Sequence, residues 1–392
     1  MAFVEPGTPS ELARSARDGF LAAYGAPAQV VGRSPGRVNL IGEHTDYNRG
    51  LVLPLALPHA TYAAVAERDD DRVRIASRQQ PTPWEGTLDG LGPGAVSGWA
   101  TYVAGVLWAM REAGWDLPGL DVFVDGTVPL GAGLSSSAAL ECAVAVAVAR
   151  LRGIELSTEV RRELIDACIR AETEVADAPT GGMDQTVAML ATQGSALLID
   201  FDLRRTESVT LPLSASGLAL LVTDTRVSHA LNDGGYASRR ADCDEAAAAL
   251  DLASLRDATL AGVETLADER VRRRARHVVT EIDRVSAAVD AIRAGDWPLL
   301  GSLFLASHAS MRDDFEISCA ELDVAVTTAV EAGAVGARMT GGGFGGSSIA
   351  LVPEDRVEAV ARAIDAAFAA AGFGAPGHLR AVASGPADLV EG

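Results

Sequence analysis

The chain has 392 residues, of which 48% are hydrophobic and 5% aromatic, and its formal net charge at pH 7 is −20. This length predicts two domains, and the apolar content is that of a globular protein rather than of a disordered one. The negative charge repels phosphate backbones, so nucleic acid is excluded as a partner. The sequence contains no lysine, so a nucleotide site cannot use a Walker lysine.

The cysteines and the N-terminus indicate where the protein is found. The cysteines are scattered and lack the spacing of a zinc site; they are Cys142, Cys168, Cys243 and Cys319. This pattern predicts reduced thiols. The first residues lack the basic and apolar regions of a secretory signal, and no apolar run approaches the roughly 18 residues of a membrane span. We therefore expect a cytoplasmic protein without membrane contact, as a monomer or a weak homo-oligomer.

In chain order, residue patterns of the first half predict strands at 60–67, 72–77 and 120–125, and helices at 99–112, 140–151, 158–176 and 185–190. The second half is predicted to contain strands at 218–223, 336–339 and 348–352, and helices at 238–250, 268–292 and 354–371. Strands and helices mix without regular alternation, which favours an α+β fold. We place the domain boundary near residue 210, giving domains 1–210 and 211–392.

Residues 36–48 read GRVNLIGEHTDYN and form the most informative segment. Arg37 and Asn39 occupy alternate positions of an apolar strand, and a cluster of polar side chains follows it. An ordinary charged turn would account for that cluster alone. Polar groups within an apolar strand, however, need partners or a ligand. Sugar hydroxyls both donate and accept hydrogen bonds, so carboxylates beside His and Arg suit a sugar.

Residues 129–139 read PLGAGLSSSAA and lead into an Ala-rich helix. Glycines let the backbone approach a phosphate, and a helix start offers unpaired N–H groups. Most glycine turns before a helix are only structural. Three consecutive serines and the absence of lysine favour a phosphate loop that is not of the Walker type.

Two shorter segments also carry candidate residues. Residues 339–347, MTGGGFGGS, contain more glycines than an ordinary turn needs, which favours close backbone approach to a ligand. Residues 180–185 read TGGMDQ, where Asp184 would ordinarily be a helix cap.

In this order and spacing, the four segments resemble the galactokinases, within the superfamily of galacto-, homoserine, mevalonate and phosphomevalonate kinases. Segment 36–48 is similar to the galactokinase signature. Supporting similarities lie at Asn232, Tyr236 and the residues up to Cys243, at 307–323 and at 338–340. The resemblance covers about residues 30–385. It implies a two-domain α+β kinase fold with a ferredoxin-like C-terminal domain and an active site in the interdomain cleft.

The resemblance also implies an activity: transfer of the γ-phosphoryl group of ATP to the C1 hydroxyl of D-galactose, the first committed step of galactose catabolism. Asp184 would be the general base and Arg37 would keep it ionised. The implied sugar contacts are Glu43, His44, Thr45, Asp46, Gly181 and Tyr236. The implied phosphate contacts are Gly131, Ala132, Gly133, Leu134, Ser135, Ser136 and Ser137. Mg²⁺ carried by ATP would be held by Ser137 and Glu172, although Glu172 could also be an ordinary helix residue.

Thr180 and Gly182 depart from the family pattern, and we expect Gly182 to widen the sugar pocket. Two alternatives stay open. One is a kinase for a related sugar such as N-acetylgalactosamine or arabinose. The other is a non-catalytic galactose and ATP sensor, which the presence of Ser137 and Ala138 argues against, because such sensors lack this Ser-Ala pair.

Overall fold

The computed structural model describes residues 3–227 and 235–390. Within this part the α-helices are α1 Pro9–Tyr24, α2 Ala100–Glu112, α3 Ser136–Leu151, α4 Thr158–Arg170, α5 Met183–Leu190, α6 Gly235–Ala249, α7 Leu260–Val263, α8 Glu269–Ala294, α9 Trp297–Asp313, α10 Ala320–Glu331 and α11 Val357–Ala371. The strands are β1 Val30–Asn39, β2 Leu51–Val52, β3 Pro54–Arg68, β4 Arg72–Ser77, β5 Trp84–Thr87, β6 Gly119–Gly126, β7 Ser195–Asp200, β8 Arg205–Thr210, β9 Leu218–Asp224, β10 Gly336–Thr340, β11 Ser347–Pro353, β12 Gly377–Ala381 and β13 Asp388–Leu389.

The first sheet has the strand order β13-β1-β3-β6-β4-β5 and is covered by helices on both faces. Successive side chains of a strand point to opposite faces. Tyr62 and Ala64 of β3 therefore pack in the cluster that contains α1, whereas Ala63 and Val65 pack in the cluster that contains α2, α3 and α4. Because both faces are buried, β3 is mainly apolar rather than alternating, and its charged residues Glu67 and Arg68 lie at its exposed end.

The second sheet has the order β10-β11-β9-β12, and its strands are antiparallel. Along the chain, β9 comes first, helices α6 to α10 follow, and then come β10, β11, α11 and β12. The order and connectivity are those of a ferredoxin-like sheet. Helices α10 and α11 cover one face through residues such as Val326 and Val360. A third, small sheet has the order β2-β7-β8.

The two large sheets share a hydrophobic core. Val38 and Leu55 of the first sheet pack in one cluster with Val222 and Ile349 of the second. The chain ends also join the two parts, because β13 pairs with the outer edge of β1 through Gly32 and its partner Leu389. The domain boundary near residue 210 stays a prediction. Strand β13, although it lies in the predicted C-terminal domain, belongs to the first sheet.

The predicted α+β class is confirmed, and most predicted elements occur within a few residues of their expected bounds. The long helix expected at 158–176 ends at Arg170 and continues as a π-helical turn, Ala171–Val175, which carries Glu172. The elements that were not predicted are helices α1, α7, α9 and α10 and strands β2, β5, β7, β8, β12 and β13. In residues 3–227 and 235–390, no helix combines the length and apolar character needed to cross a bilayer.

Candidate active site

Arg37 and Asp184 form a two-pronged ion pair, although they are far apart in the sequence. Nε and Nη2 of Arg37 each donate to one oxygen of Asp184, both at 2.7 Å. The third nitrogen, Nη1, donates to the carbonyl of Gly133 at 2.7 Å. Arg37 lies in β1, directly after an irregularity in its pairing with β3, and Asp184 lies in the first turn of α5. The pair therefore joins the sugar signature, the phosphate loop and the helix that carries the acidic residue.

Ser135 provides another donor to the same carboxylate, since its hydroxyl hydrogen-bonds Oδ2 of Asp184. Its backbone is left-handed, with φ of 59°, directly before α3 begins at Ser136. Gly131 and Gly133 are also left-handed, at φ of 74° and 70°. A side chain is strained in this region, so the loop conformation is held by surrounding contacts. The start of α3 faces a loop whose shape suits a phosphate chain.

A second carboxylate, Glu172, lies beside the start of α3. Ser137 Oγ donates to Glu172 Oε1 at 2.7 Å, and Gln185 Nε2 donates to its other oxygen. The same Gln185 nitrogen contacts Glu141 Oε2 at 3.2 Å. Burial raises the pKa of Glu172 to about 7, although the hydrogen bond from Ser137 opposes this and the Asp184 charge adds to it. A cation next to Glu172 would oppose this shift, because it favours the ionised carboxylate.

His44 lies at the centre of an aromatic group. Its ring is 5.7 Å from that of Tyr47 and 5.0 Å from that of Tyr236. Nε2 is 3.1 Å from the carbonyl of Gly342, and Nδ1 is 2.7 Å from the hydroxyl of Tyr47. A carbonyl can only accept, so Nε2 carries the proton and Nδ1 accepts from Tyr47. Burial lowers the pKa of His44 to about 3, so the ring is neutral.

Asp46 lies against the backbone of Gly181. A Cβ atom at Gly181 would be 2.1 Å from Asp46 Oδ2, so only glycine fits there. Burial raises the pKa of Asp46 to about 6; the Asp184 charge adds to the rise, and Arg37 opposes it. Asp46 and Asp184 are therefore close enough to act on each other's charge.

The glycine loop between β10 and β11 packs on the phosphate loop. Ser347 Oγ donates to the carbonyl of Ala132 at 2.7 Å. A Cβ at Gly341 would be 3.1 Å from the carbonyl oxygen of Gly133, and Gly341 is left-handed with φ of 89°. Residues from the second sheet thus help to close the same site.

Sequence and structure comparisons agree with this geometry. Residues 18–67 match the galactokinase galactose-binding signature, 101–192 the GHMP kinases N terminal domain and 288–370 the GHMP kinases C terminal. The galactokinase of Streptomyces coelicolor is 48% identical over 93% of this chain and 95% of its own. That of Mycobacterium tuberculosis is 43% identical over 90% of this chain and 96% of its own.

The chain belongs to the galactokinase family. Among solved structures, that of Lactococcus lactis galactokinase complexed with galactose superposes with a TM-score of 0.90. The two chains are 31% identical, and the match covers 96% of this chain and 99% of that one. Membership makes the chain an ATP-dependent sugar kinase, and the resemblance inferred from the sequence is confirmed.

Two of the residues predicted to contact the sugar, Thr45 and Glu43, also form hydrogen bonds within the protein. Thr45 has no exposed surface, and its hydroxyl lies 2.6 Å from the carbonyl of Leu51, to which it donates. Its hydroxyl therefore stabilises the turn after β1, and its contact with sugar stays a prediction. Both oxygens of Glu43 accept from protein groups: Oε1 from the Gly341 N–H at 3.2 Å, and Oε2 from Arg338. Each oxygen of the Glu43 carboxylate retains a further lone pair, and its contact with sugar stays a prediction.

Gly182 does not widen the pocket. It precedes α5 with a left-handed backbone, φ of 92°, and a Cβ there would be 2.6 Å from Ile169 Cδ1. Ile169 already fills the space that the sequence led us to expect. The glycine is required by the helix start and by this close packing, which corrects the expectation.

The residues predicted to contact phosphate fall into two groups, those with buried side chains and those with partly exposed ones. Ala132 and Leu134 are buried, and Leu134 O accepts from the Arg37 N–H at 3.1 Å, so only their backbones face the loop. Ser136 and Ser137 are partly exposed at the helix start. Asn232, named among the sequence similarities, lies outside the described residues.

Sequence reasoning missed several buried polar residues of this site. Glu141 and Gln185 have no exposed surface and lie directly behind Glu172. Arg338 was quoted as a similarity, but no role was given to it. Each is a polar residue inside an apolar segment, which is the signal that could have identified them.

Proposed function

We propose that this protein transfers the γ-phosphoryl group of ATP to the C1 hydroxyl of D-galactose, giving galactose 1-phosphate and ADP. The observation that carries the proposal is the ion pair of Arg37 and Asp184, between the sugar signature and the phosphate loop. It gives one ionised carboxylate and one cation at the point where the two substrates would meet.

Asp184 accepts the proton of the galactose C1 hydroxyl while the oxygen of that hydroxyl attacks the γ-phosphorus of ATP. A general base typically contributes about 10²- to 10⁴-fold. Arg37 holds the Asp184 carboxylate in place with two hydrogen bonds and stabilises the negative charge on the group in transfer. Phosphoryl transfer depends mainly on positioning and electrostatics, so the fixed geometry of this pair matters as much as its basicity.

Sugar selection is assigned to Asp46, with His44 and Tyr236 shaping the pocket. Galactose and glucose differ only at C4, so discrimination needs an acceptor that meets the axial hydroxyl. Asp46 is assigned this role ahead of Glu43, because both oxygens of Glu43 already accept hydrogen bonds from Arg338 and Gly341. A site built on such hydrogen bonds can reject the wrong sugar by about 10⁴-fold.

The metal of MgATP fits between Ser137 and Glu172. One hydroxyl and one buried carboxylate, 2.7 Å apart, suit Mg²⁺, which keeps most of its waters and phosphate oxygens. No group of three or more His, Cys, Asp or Glu side chains in the described ranges could hold a metal without such help. Bound there, Mg²⁺ would neutralise charge on the phosphates of ATP. We expect Ser137→Ala combined with Glu172→Gln to shift the Mg²⁺ requirement to higher concentration, and an unaltered titration would contradict the assignment.

The decisive experiment measures ADP formation with a panel of sugars and identifies the product. The panel is galactose, talose, 2-deoxygalactose, N-acetylgalactosamine, glucose and arabinose. We expect the highest kcat/KM for galactose, phosphate at C1, and negligible turnover of glucose. Comparable kcat/KM for glucose and galactose would refute the C4 argument. A preference for N-acetylgalactosamine or arabinose would replace the substrate, and no turnover of any sugar would favour the sensor.

A further inference from the structure

Arg338 is the largest side chain in the described chain that is fully buried, and it reaches the sugar signature from β10. Nη1 donates to the carbonyl of Leu40 at 2.7 Å, and Nη2 donates to the carboxylate of Glu43. The side chains of Arg338 and Glu43 are 0% and 1% exposed. A guanidinium from the second sheet thus fixes both the backbone and the side chain of the segment that follows β1.

Glu281 of α8 holds the next backbone group of the same segment. Its Oε1 accepts from the N–H of Gly42 at 3.0 Å and from Ser307 Oγ at 2.6 Å. Arg284 donates to Oε2 at 2.6 Å, and Arg338 lies 3.6 Å from Oε1. Although burial raises it, the guanidinium groups of Arg284 and Arg338 hold the pKa of Glu281 at about 2. Two cations and two anions therefore balance within this buried group.

The backbone of residues 40–43 is held at several successive points. His277 of α8 completes the set, because its Nε2 lies 3.1 Å from the carbonyl of Glu43. The next residue, His44, has a left-handed backbone with φ of 61°. A non-glycine residue keeps this conformation only when surrounding contacts impose it.

We propose that Arg338 and Glu281 are positioning residues that set the galactose affinity by fixing the backbone before His44 and Asp46. The proposal rests on the proposed function, since it concerns the galactose site. Arg338 of β10 and Glu281 of α8 act by holding the backbone of residues 40–43. The residues proposed to contact the sugar, His44 and Asp46, follow this segment in the chain. The galactose site is therefore assembled only when these elements are docked.

The chemistry of arginine makes this role specific. Its planar guanidinium reaches the Leu40 carbonyl with one nitrogen and the Glu43 carboxylate with another. Lysine carries a single ammonium and cannot reproduce that fork. Removing one partner of a buried ion pair leaves the other without compensation, so the loop shifts to reach water. A hydrogen bond between sugar and a charged group that the shifted loop can no longer make costs about 10- to 100-fold in affinity.

The test compares Arg338→Met, Arg338→Lys and Glu281→Gln with Arg274→Met as a matched control. Arg274 is also buried and paired, with Asp242 and Glu316, but it does not contact residues 40–43. We expect the galactose KM to rise on the order of 10- to 100-fold in Arg338→Met, and less in Arg338→Lys. The ATP KM should stay within about threefold, and Arg274→Met should lower Tm without changing the galactose KM.

An unchanged galactose KM in folded Arg338→Met, or the same rise in Arg274→Met, would overturn the proposal. If Arg338→Met does not fold, Ser307→Ala removes one hydrogen bond to Glu281 without removing a charge. It should raise the galactose KM by roughly twofold or more, and no change would overturn the proposal equally. Wild-type turnover in the same assay separates the two questions, because its absence would refute the proposed function and not the positioning role alone.

Discussion

The carboxylate of Asp184 receives side-chain hydrogen bonds from Arg37 and Ser135. Asp184→Asn retains the size of the side chain but cannot accept the proton or pair with Arg37 as a charge. We expect kcat to fall by about 10²- to 10⁴-fold. ATP affinity, measured by calorimetry, should change little.

A matched control for this variant exists in the first sheet. Asp121, near the start of β6, also accepts hydrogen bonds from two nitrogens of one arginine, Arg74, at 2.6 Å each. Asp121→Asn should lower stability without lowering kcat. Turnover of Asp184→Asn within threefold of the wild type, in a folded preparation, would rule out its role as the base.

The raised pKa of Glu172 makes stability depend on pH in a defined direction. Its pKa is about 7 in the folded protein against 4.5 ordinarily, chiefly because of burial. The folded state therefore binds the proton more tightly than the unfolded chain does. Glu172 therefore makes its full contribution to the free energy of unfolding below about pH 4.5. This contribution, about 3 kcal/mol, is lost as the pH rises through about 7. Asp46, with a pKa of about 6, contributes in the same direction.

We therefore expect Glu172→Gln to flatten the dependence of the unfolding free energy on pH between 5 and 8, measured without nucleotide by denaturant titration. The control is Glu174→Gln, because Glu174 is exposed and its hydrogen bond with Arg170 lowers its pKa, outside this window. The Mg²⁺ concentration that the wild type requires should rise below about pH 7, because the metal must then displace the proton of Glu172. Identical slopes for all three proteins would show that Glu172 titrates normally.

The glycine loop between β10 and β11 offers two neighbouring positions with opposite expectations. A Cβ at Gly343, where φ is 85°, would be 2.4 Å from Ile317 Cβ. A Cβ at Gly342 would have only Tyr236 nearby, at 3.7 Å. We expect Gly343→Ala to destabilise the protein by about 2–4 kcal/mol, through strain and overpacking. Gly342→Ala should cost less than about 1 kcal/mol.

Thermal unfolding of the two variants provides the measurement. Gly343→Ala should unfold at a lower temperature than Gly342→Ala. Equal Tm values would mean that the loop adapts freely and that its glycines are not required by shape.

How far the sequence predicts an element depends on where its contacts are. Strand β4, Arg72–Ser77, was predicted with its observed bounds, because its alternating pattern reflects its local position in the sheet. Helix α9 was missed because it contains Gly301, which is unfavourable in a helix. There β10 passes so closely that a Cβ on Gly301 would be 2.3 Å from the carbonyl oxygen of Val335. That requirement comes from tertiary packing and has no local signal.

The same reasoning separates the parts of the site. The sugar signature and phosphate loop are continuous segments, so residues such as Asp46 and Ser137 were found by resemblance. Thr45 lies in the same run but turns into the core, because its hydroxyl serves the backbone of the turn. The role of Arg338 depends on contact with a carbonyl 298 positions earlier, and no pattern near it reports that contact.

The last strand ties the end of the chain to its beginning. Val390 N–H donates to Val31 O at 3.0 Å, and Ala387 N–H to Ala188 O at 2.7 Å. Removing residues 386–392 deletes these bonds and should cost about 3–5 kcal/mol, at about 1 kcal/mol for each hydrogen bond plus lost packing. We expect Tm to fall by about 5 °C or more.

Asp388→Asn is the control for this truncation, because the Asp388 side chain is largely exposed and the strand stays in place. It should change the unfolding free energy by less than about 0.5 kcal/mol. A truncated protein that unfolds at the wild-type temperature would show that β13 is dispensable.

The pairing of β13 with β1 also bears on how the protein is made. Strand β1 leaves the ribosome long before its outer partner, because Leu389 of β13 lies 357 positions after its paired residue Gly32. N-terminal segments begin to fold during synthesis, so the outer edge of β1 stays open while the rest of the chain is added. An open edge can pair with a strand of another nascent chain. Emergence of β13 from the ribosome is therefore the event that completes this sheet, and slow translation of the chain between the two strands lengthens the period in which neighbouring chains on one messenger can associate.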